Sequence, residues 1–230
     1  MKLGIPLTPE DLQKAARLPS KPASVSLAGK LVRLEPLNLQ RDNAALHRVS
    51  SGEAFSLANR TQPAYDADEL IWRYMADGPF PTSCKLAAFL KPQVEAVNGL
   101  SFCVFSQDLD HQIGVVNYMN CLPTHLKLEL GSIWYSPIAQ GSGANREATY
   151  LLLKHAFELG YRRVEWKCDS LNERSRRSAL SMGFKFEGIQ DSHFIIKGRN
   201  RDTAWYRILS CEWPAVRAEL EKSLAALVNR

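Results

Sequence analysis

Hydrophobic and polar positions change period along the chain, and each change marks a predicted element. Lys30 to Pro36 (KLVRLEP) alternates apolar with charged residues, the pattern of a half-buried strand. Residues 38–51 carry helical spacing, as does Asp66 to Met75 (DADELIWRYM), which stops at Gly78-Pro79. Residues 82–97 read as a helix interrupted at Pro92. The period then drops to two. Ser101–Ser106, Gln112–Asn120 and Leu126–Tyr135 predict three strands, and turn residues at 108–110 with short connections make them an antiparallel meander.

A glycine-bearing loop, Gln140-Gly141-Ser142-Gly143, then opens a helix from about Asn145 to Leu159. Its apolar face is Ala148, Leu151, Leu152, His155, Ala156 and Leu159, and Gly160 ends it. Arg163–Lys167 predicts a strand, Asn172–Met182 a helix closed by Gly183, and Phe184–Gly188 a short strand. His193–Lys197 and Asp202–Leu209 read as a hairpin across Gly198-Arg199-Asn200, and Pro214 begins a last amphipathic helix. Residues 1–29, with Pro6, Pro9, Pro19 and Pro22, read as an extension with one short helix, Thr8 capping it and Pro9 in its first position. The expected organisation is this extension, a body over 30–214 and a C-terminal helix over 215–230. The order predicts an α/β (α+β) fold: a mixed, largely antiparallel sheet with one strand–loop–helix–strand crossover.

Composition narrows the class. The 230 residues are 45% hydrophobic and 23% charged, which excludes a disordered or fibrous chain. No apolar run is long enough to span a membrane. The five cysteines are widely spaced without a CxxC, which argues against a disulfide framework or zinc site and for a reduced, cytoplasmic protein. The formal charge of +5 is concentrated: residues 161–207 hold 11 basic against 6 acidic residues, an excess equal to that of the whole chain. Such a field suits an anionic partner, nucleic acid or a phosphorylated cofactor, and a solvated basic face is the alternative. No interleaved aromatic platform accompanies the arginines, which disfavours nucleic acid.

The most informative stretch is Leu126 to Leu159, a strand that runs into the glycine loop and opens a helix, although two glycines before a helix are by themselves a weak signal. The first amides of a helix lack internal partners and, with the helix dipole, attract anions. Gly141 and Gly143 would let a phosphate approach the backbone. A plain tight loop would have the same spacing. The loop lacks the ending of a Walker A sequence and the third glycine of a Rossmann fingerprint.

The run from Pro137 to Gly188 (PIAQGSGANREATYLLLKHAFELGYRRVEWKCDSLNERSRRSALSMGFKFEG) resembles the GNAT superfamily of N-acetyltransferases. It is most similar to the RimJ and RimL branch of ribosomal-protein alanine acetyltransferases, as are KGRNRDTAWYRIL, the EWP that follows and the upstream WRYMADGPF. The resemblance covers about Lys30 to Pro214. It implies a V-shaped opening between two central parallel strands, Leu126–Tyr135 and Arg163–Lys167, holding acetyl-CoA (coenzyme A). The phosphate loop would comprise Gln140, Gly141, Ser142, Gly143, Ala144, Asn145 and Arg146. Position 145 departs from the family's Gly or Ala, and a side chain there would crowd the pyrophosphate. A bulge in the first strand would turn an amide among Ile133, Trp134 and Tyr135 toward the thioester carbonyl. Asn172 and Ser175 match the family's N-x-x-S element: Asn172 would hold the pantetheine, or simply cap the helix, and Ser175 would protonate or orient the thiolate.

The reaction so implied is direct acetyl transfer to a primary amine, a small molecule or a protein N-terminus, through a ternary complex. Glu129 is the candidate base, placed by strand alternation on the face of Ile133 and Tyr135; a solvated strand glutamate is the alternative. Tyr206 is a second candidate acid. Cys168 reads as a free buried cysteine, His155 as a core group and no residue as a metal ligand. The acceptor side would come from residues 38–100 and the hairpin near 198–205, where His193 and Arg199–Asp202 could line it. A homodimer is compatible with this picture. Rival readings are a non-catalytic acyl-CoA-binding module and a ribosome- or RNA-associated acetyltransferase.

Overall fold

The computed structural model describes residues 4–58 and 60–228. In chain order the elements are α1 (Pro9–Arg17), β1 (Leu27–Ala28), β2 (Val32–Pro36), α2 (Leu39–Arg48), β3 (Phe55–Leu57) and β4 (Arg60–Gln62). After a π-helical turn at Asp68–Trp72 come α3 (Ser83–Val94), β5 (Leu100–Ser106), β6 (His111–Leu122), β7 (Lys127–Tyr135) and α4 (Ala144–Glu158). The chain ends with β8 (Arg163–Asp169), α5 (Glu173–Ser181), β9 (Lys185–Ile196), β10 (Arg199–Leu209) and α6 (Trp213–Val228).

Eight strands form one sheet in the order β1-β2-β5-β6-β7-β8-β10-β9. Its pairings are antiparallel except β7–β8, the pair joined through α4. The mixed, largely antiparallel sheet read from the sequence is therefore the one found. Parallel pairing runs from Lys127↔Arg163 to Leu130↔Trp166 and stops, although both strands continue. Beyond that point they diverge, which opens the V.

Cross-strand partners share a face, so the pairings sort the side chains. Leu128, Leu130, Val164, Trp166 and Tyr206 pack with α4, α5 and α6 in the larger core. Cys103, Phe105, Val115 and Trp134 pack under α2 and α3 with Trp72, Phe80 and Leu86. The α4 face is rotated from the expected one. Leu153, Glu147 and Thr149 are buried, while Leu151, His155 and Leu159 are only partly so. The reason is α6, which covers a second flank: Trp213 stacks on Phe157 with ring centroids 5.1 Å apart.

Four local readings change. The helix expected over 66–75 is only the π turn, because tertiary partners claim its carbonyls, as described below. Pro92 lies inside α3 rather than interrupting it; it falls in the last turn, where a single lost backbone bond is tolerated. The two short strands expected over 184–197 are one strand, β9, with register shifts opposite Arg201–Thr203 and Trp205–Tyr206 that break the alternation. The hairpin turn is Lys197-Gly198, both at positive φ, rather than residues 198–200.

Candidate active site

A cavity of about 810 Å³ fills the V between β7 and β8. Its floor is set by the bulge in β7. Pairing with β6 jumps from Asn117↔Gly131 to Val115↔Trp134, so Val116 faces two residues, Ser132 and Ile133. Ser132 adopts φ +48°, a left-handed conformation that marks the extra residue. Asn117, almost fully buried, fixes the bulge: its Nδ2 donates to the carbonyls of Gly131 (3.2 Å) and Ser132 (3.0 Å).

The extra residue also inverts the alternation. Glu129 shares its face with Gly131 and Trp134, while Tyr135 returns to the core face with Leu128 and Leu130. Ile133 also packs against that core. The expectation that Glu129, Ile133 and Tyr135 lie on one face is thus corrected: period two holds only on either side of the bulge. All three nonetheless border the cavity, because it passes through the gap in the sheet.

Glu129 is 2% exposed and bound on two sides. Its Oε2 accepts from Asn120 Nδ2 (2.9 Å) and lies 3.0 Å from the Lys167 ammonium. Gly131 leaves room for it: a Cβ there would lie 2.8 Å from both Glu129 Oε1 and Met119 Sδ. The solvated strand glutamate is therefore not what is found; a lysine-paired carboxylate faces the cavity. Lys167 was missed in the sequence because its relation to Glu129 depends on the β7–β8 register.

At the other end lies the glycine loop. Gly141 (φ +77°) has open space where a side chain would begin. Gly143 (φ +90°) is the N-cap of α4, and a Cβ there would press on Leu227 Cδ1 at 2.8 Å and Leu31 Cδ1 at 3.1 Å. The amides of Asn145 and Arg146 follow, with no partner inside the helix. Asn145 borders the cavity, and its side chain folds back toward Thr149 on its own helix. Arg146 reaches Ser223 of α6 (2.7 Å). Ser142 and Ala144 do not line the cavity: Ser142 Oγ donates inward to the Ala139 carbonyl (2.7 Å), and Ala144 is buried beneath the loop. Behind the loop, Glu147 accepts from the amides of Lys30, Leu31 and Val32 and ties the first turn of α4 to β2.

Asn172 and Ser175 both border the cavity. Asn172 Oδ1 accepts from the Ser175 amide (3.0 Å), so it caps α5; Ser175 Oγ accepts from the Trp166 indole (3.0 Å). Tyr206 does not reach the cavity. It is buried in the core, its hydroxyl accepting from Arg176 Nε (3.1 Å), because its pairing with Trp166 turns it to the α5 face. Cys168 borders the cavity, but burial pushes its thiol up, which disfavours the thiolate. His155 lies against Tyr118, its ring nitrogen 3.1 Å from the hydroxyl, and burial pushes its pKa down.

The π turn roofs the cavity. Three side chains from separate elements donate to its carbonyls: Arg174 to Glu69 (2.8 Å), Gln140 to Leu70 (3.0 Å) and Lys197 to Trp72 (2.8 Å), the last shared with the Met75 amide. Gln140 thus borders the cavity while its amide braces the roof. Much of the basic excess is neutralised in place, with Arg163, Lys185 and Arg207 paired to Glu165, Glu187 and Glu212. Among the described residues, Arg146, Arg174 and Arg201 reach the cavity without a carboxylate partner. Of the hairpin residues expected on the acceptor side, Arg201 lines it and His193 instead contacts Thr203 (2.9 Å).

A splayed parallel pair, a bulge at its mouth and a helix N-terminus behind a glycine turn together define an acyltransferase cleft of the kind the sequence resembles. Comparison with known proteins agrees. The profile of the acetyltransferase (GNAT) domain matches residues 32–185. A GCN5-related N-acetyltransferase from Brucella melitensis is 34% identical, with a TM-score of 0.79 over 87% of this chain and 86% of that one. A probable GNAT-family acetyltransferase from Chromobacterium violaceum is 31% identical, with a TM-score of 0.78 over 93% and 98%. An acetyltransferase from Salmonella typhimurium, described as modifying the N-terminal serine of ribosomal protein L7/L12, shares the fold at 16% identity (TM-score 0.66; 80% and 99% covered). No curated protein sequence matches. The chain belongs to the GNAT acetyltransferase family and is an N-acetyltransferase. Among the described residues no helix is long and apolar enough to cross a membrane.

Proposed function

We propose that the protein transfers an acetyl group from acetyl-CoA directly to a primary amine, both bound in the V-shaped cleft. The observation that carries this reading is one continuous cavity bordered at one end by Gly141, Gly143 and the start of α4, and at the other by Glu129. The cleft fits the carrier: open space faces Gly141, the first α4 amides lack partners, and Arg174 adds a cation. Acetyl-CoA supplies an activated thioester. The loop amides and Arg146 hold its phosphates, while Asn172 and the splayed strand edges line its pantetheine arm. The bulge at Ser132–Ile133 offers a backbone amide to the carbonyl oxygen. Glu129 takes a proton from the acceptor amine, and Lys167 and Asn120 hold its carboxylate in place. Ser175, steadied by Trp166, is the hydroxyl beside the departing thiolate.

The tail KGRNRDTAWYRIL and the EWP after it support a place near the RimJ and RimL branch, and scattered cysteines support a cytoplasmic setting. Acetyl-CoA is expected to raise the melting temperature, and a panel of amines, including peptides with varied N-terminal residues, to release CoA in an amine-dependent way. The absence of both a thermal shift with acetyl-CoA and CoA release with any amine would end this reading.

A further inference from the structure

Among the described residues a single lysine borders the main cavity, Lys167. Parallel pairing of β7 and β8 ends at Leu130↔Trp166, so Lys167 is the first residue of β8 beyond the vertex of the V. The bulge at Ser132–Ile133 stands just past Leu130 on the other limb. Lys167 is the cross-strand partner of Trp205 and shares the face of Glu129.

The Lys167 side chain is 16% exposed. Its ammonium lies 3.0 Å from Glu129 Oε2, 5.2 Å from the centroid of the Trp205 ring and 5.6 Å from that of Phe194. A carboxylate and two aromatic faces are surroundings that suit an ammonium. Glu129 would offer the same setting to an incoming amine. Lys127 makes the contrast. It sits on the same face of β7, its ammonium 3.2 and 3.1 Å from the two Glu165 oxygens, and it does not border the cavity. One lysine–glutamate pair thus closes on itself away from the cleft. The other stands at the vertex, and its carboxylate is the proposed base.

We infer that Lys167 is a self-acetylation site: when no acceptor occupies the cleft, its own amine takes the acetyl group from acetyl-CoA. Self-acetylation rests on the proposed acetyl transfer and adds a substrate that the chain itself carries. The Lys167 ammonium passes one proton to Glu129 and on to solvent. The freed Nζ lone pair attacks the thioester carbon, an N–C bond forms as the C–S bond breaks, and the next proton lost by the nitrogen goes to the CoA thiolate. The products are neutral acetyl-lysine, the CoA thiol and one released proton. Glu129 then keeps Asn120 but loses its cation, so the mark removes the ion pair at the vertex. An acceptor amine competes for the same carboxylate, which makes the modification a reaction of the acceptor-starved enzyme.

The test uses the full chain with acetyl-CoA and no added amine, followed by cleavage after glutamate. Glu165 and Glu173 bound a fragment in which Lys167 is the only lysine, and mass spectrometry follows its acetylation with time. Hydroxylamine strips a thioester from the neighbouring Cys168 and leaves the amide, so the two sites are told apart. Lys167 should be acetylated about 10³-fold faster than Lys127 or the exposed Lys91 of the same molecules, the scale of general-base assistance. Glu129→Gln should slow Lys167 by a similar factor and leave the other two lysines unaffected; the comparison within the unaltered chain stands even if that variant folds poorly. An amine that is turned over should protect Lys167 as it saturates the enzyme. Acetylation of Lys167 no faster than that of Lys91, or undiminished in Glu129→Gln, would be chemical acylation by the thioester alone and would overturn the site. An unmodified Lys167 in enzyme that releases CoA with an amine would also overturn it, and leave the acetyl-transfer reading standing. An unmodified Lys167 together with no CoA release from any amine would overturn both.

Discussion

The two ends of the cleft are built by different means. On the proposed reading the phosphates are met mainly by backbone, two glycines at positive φ and the first amides of α4, set by the crossover from β7 to β8, with Arg146, Arg174 and Asn172 added around them. At the proposed acceptor end the groups are side chains from distant places, Glu129 on β7, Lys167 on β8 and Asn120 on β6. A backbone site is carried by chain conformation and tolerates many side chains. A side-chain site depends on register and identity at each position. Substitutions at the acceptor end should therefore affect turnover and acceptor choice, and those at the cofactor end affinity and stability.

The sharpest separation should come from Glu129→Gln. Loss of the base is expected to lower kcat by about 10³-fold, equivalent to about 4 kcal/mol of barrier. Acetyl-CoA affinity, measured by calorimetry, should stay within a few-fold, because no loop group is touched. A weakened cofactor would show that the two ends are not independent.

Much of this division was legible in the sequence. The glycine loop, α4 and its flanking strands announce themselves through contiguous patterns, and Thr8, Asn172 and Pro9 take the capping and first-turn positions expected of them. The face of Glu129 was not legible, because alternation says nothing about where an extra residue enters; Ser132 at φ +48° reverses everything beyond it. The π turn was hidden for a similar reason. DADELIWRYM has helical spacing, but Gln140, Arg174 and Lys197, remote in sequence, take the carbonyls a helix would have used. Tyr206 shows the same limit: which face of β10 looks into the cleft depends on its pairing with β8.

At the cofactor end the largest stability effect should be that of Glu147→Ala. Its carboxylate satisfies three backbone amides at the start of β2, and leaving them without an acceptor should cost about 3 kcal/mol in chemical denaturation. The two loop glycines should then divide binding from folding. Gly143→Ala forces a side chain into Leu227 and Leu31 at positive φ and should cost about 2 kcal/mol. Gly141→Ala meets no neighbour, so its stability cost should be smaller, about 1 kcal/mol of backbone strain. Its methyl group would enter the space facing the cavity, so the loss should appear mainly in acetyl-CoA affinity. Equal effects of the two on folding and on affinity would remove the distinction between a packing glycine and a ligand-facing one.

The smallest expected effect tests whether the cofactor end depends on its cover. Helix α6 lies over the loop through Leu227 and Ser223, and it is rooted by Glu212. Burial alone would raise the Glu212 pKa, but Lys185, the Leu209 amide and Arg207 outweigh it and bring it down to about 2. A carboxylate held below its unfolded value stabilises the fold above that value and ceases to do so as pH falls through the folded one. The contribution should therefore be complete above about pH 4.5 and disappear toward pH 2. Because the group is partly solvated, its size should be only about 1 kcal/mol. Glu212→Gln should lower stability by that amount at neutral pH and flatten its decline between pH 4.5 and 2. If the root of α6 supports the phosphate loop, the same variant should weaken acetyl-CoA binding at pH 7 and leave the preference among acceptor amines unchanged. A shift in acceptor preference without one in cofactor affinity would instead tie α6 to the far end of the cleft.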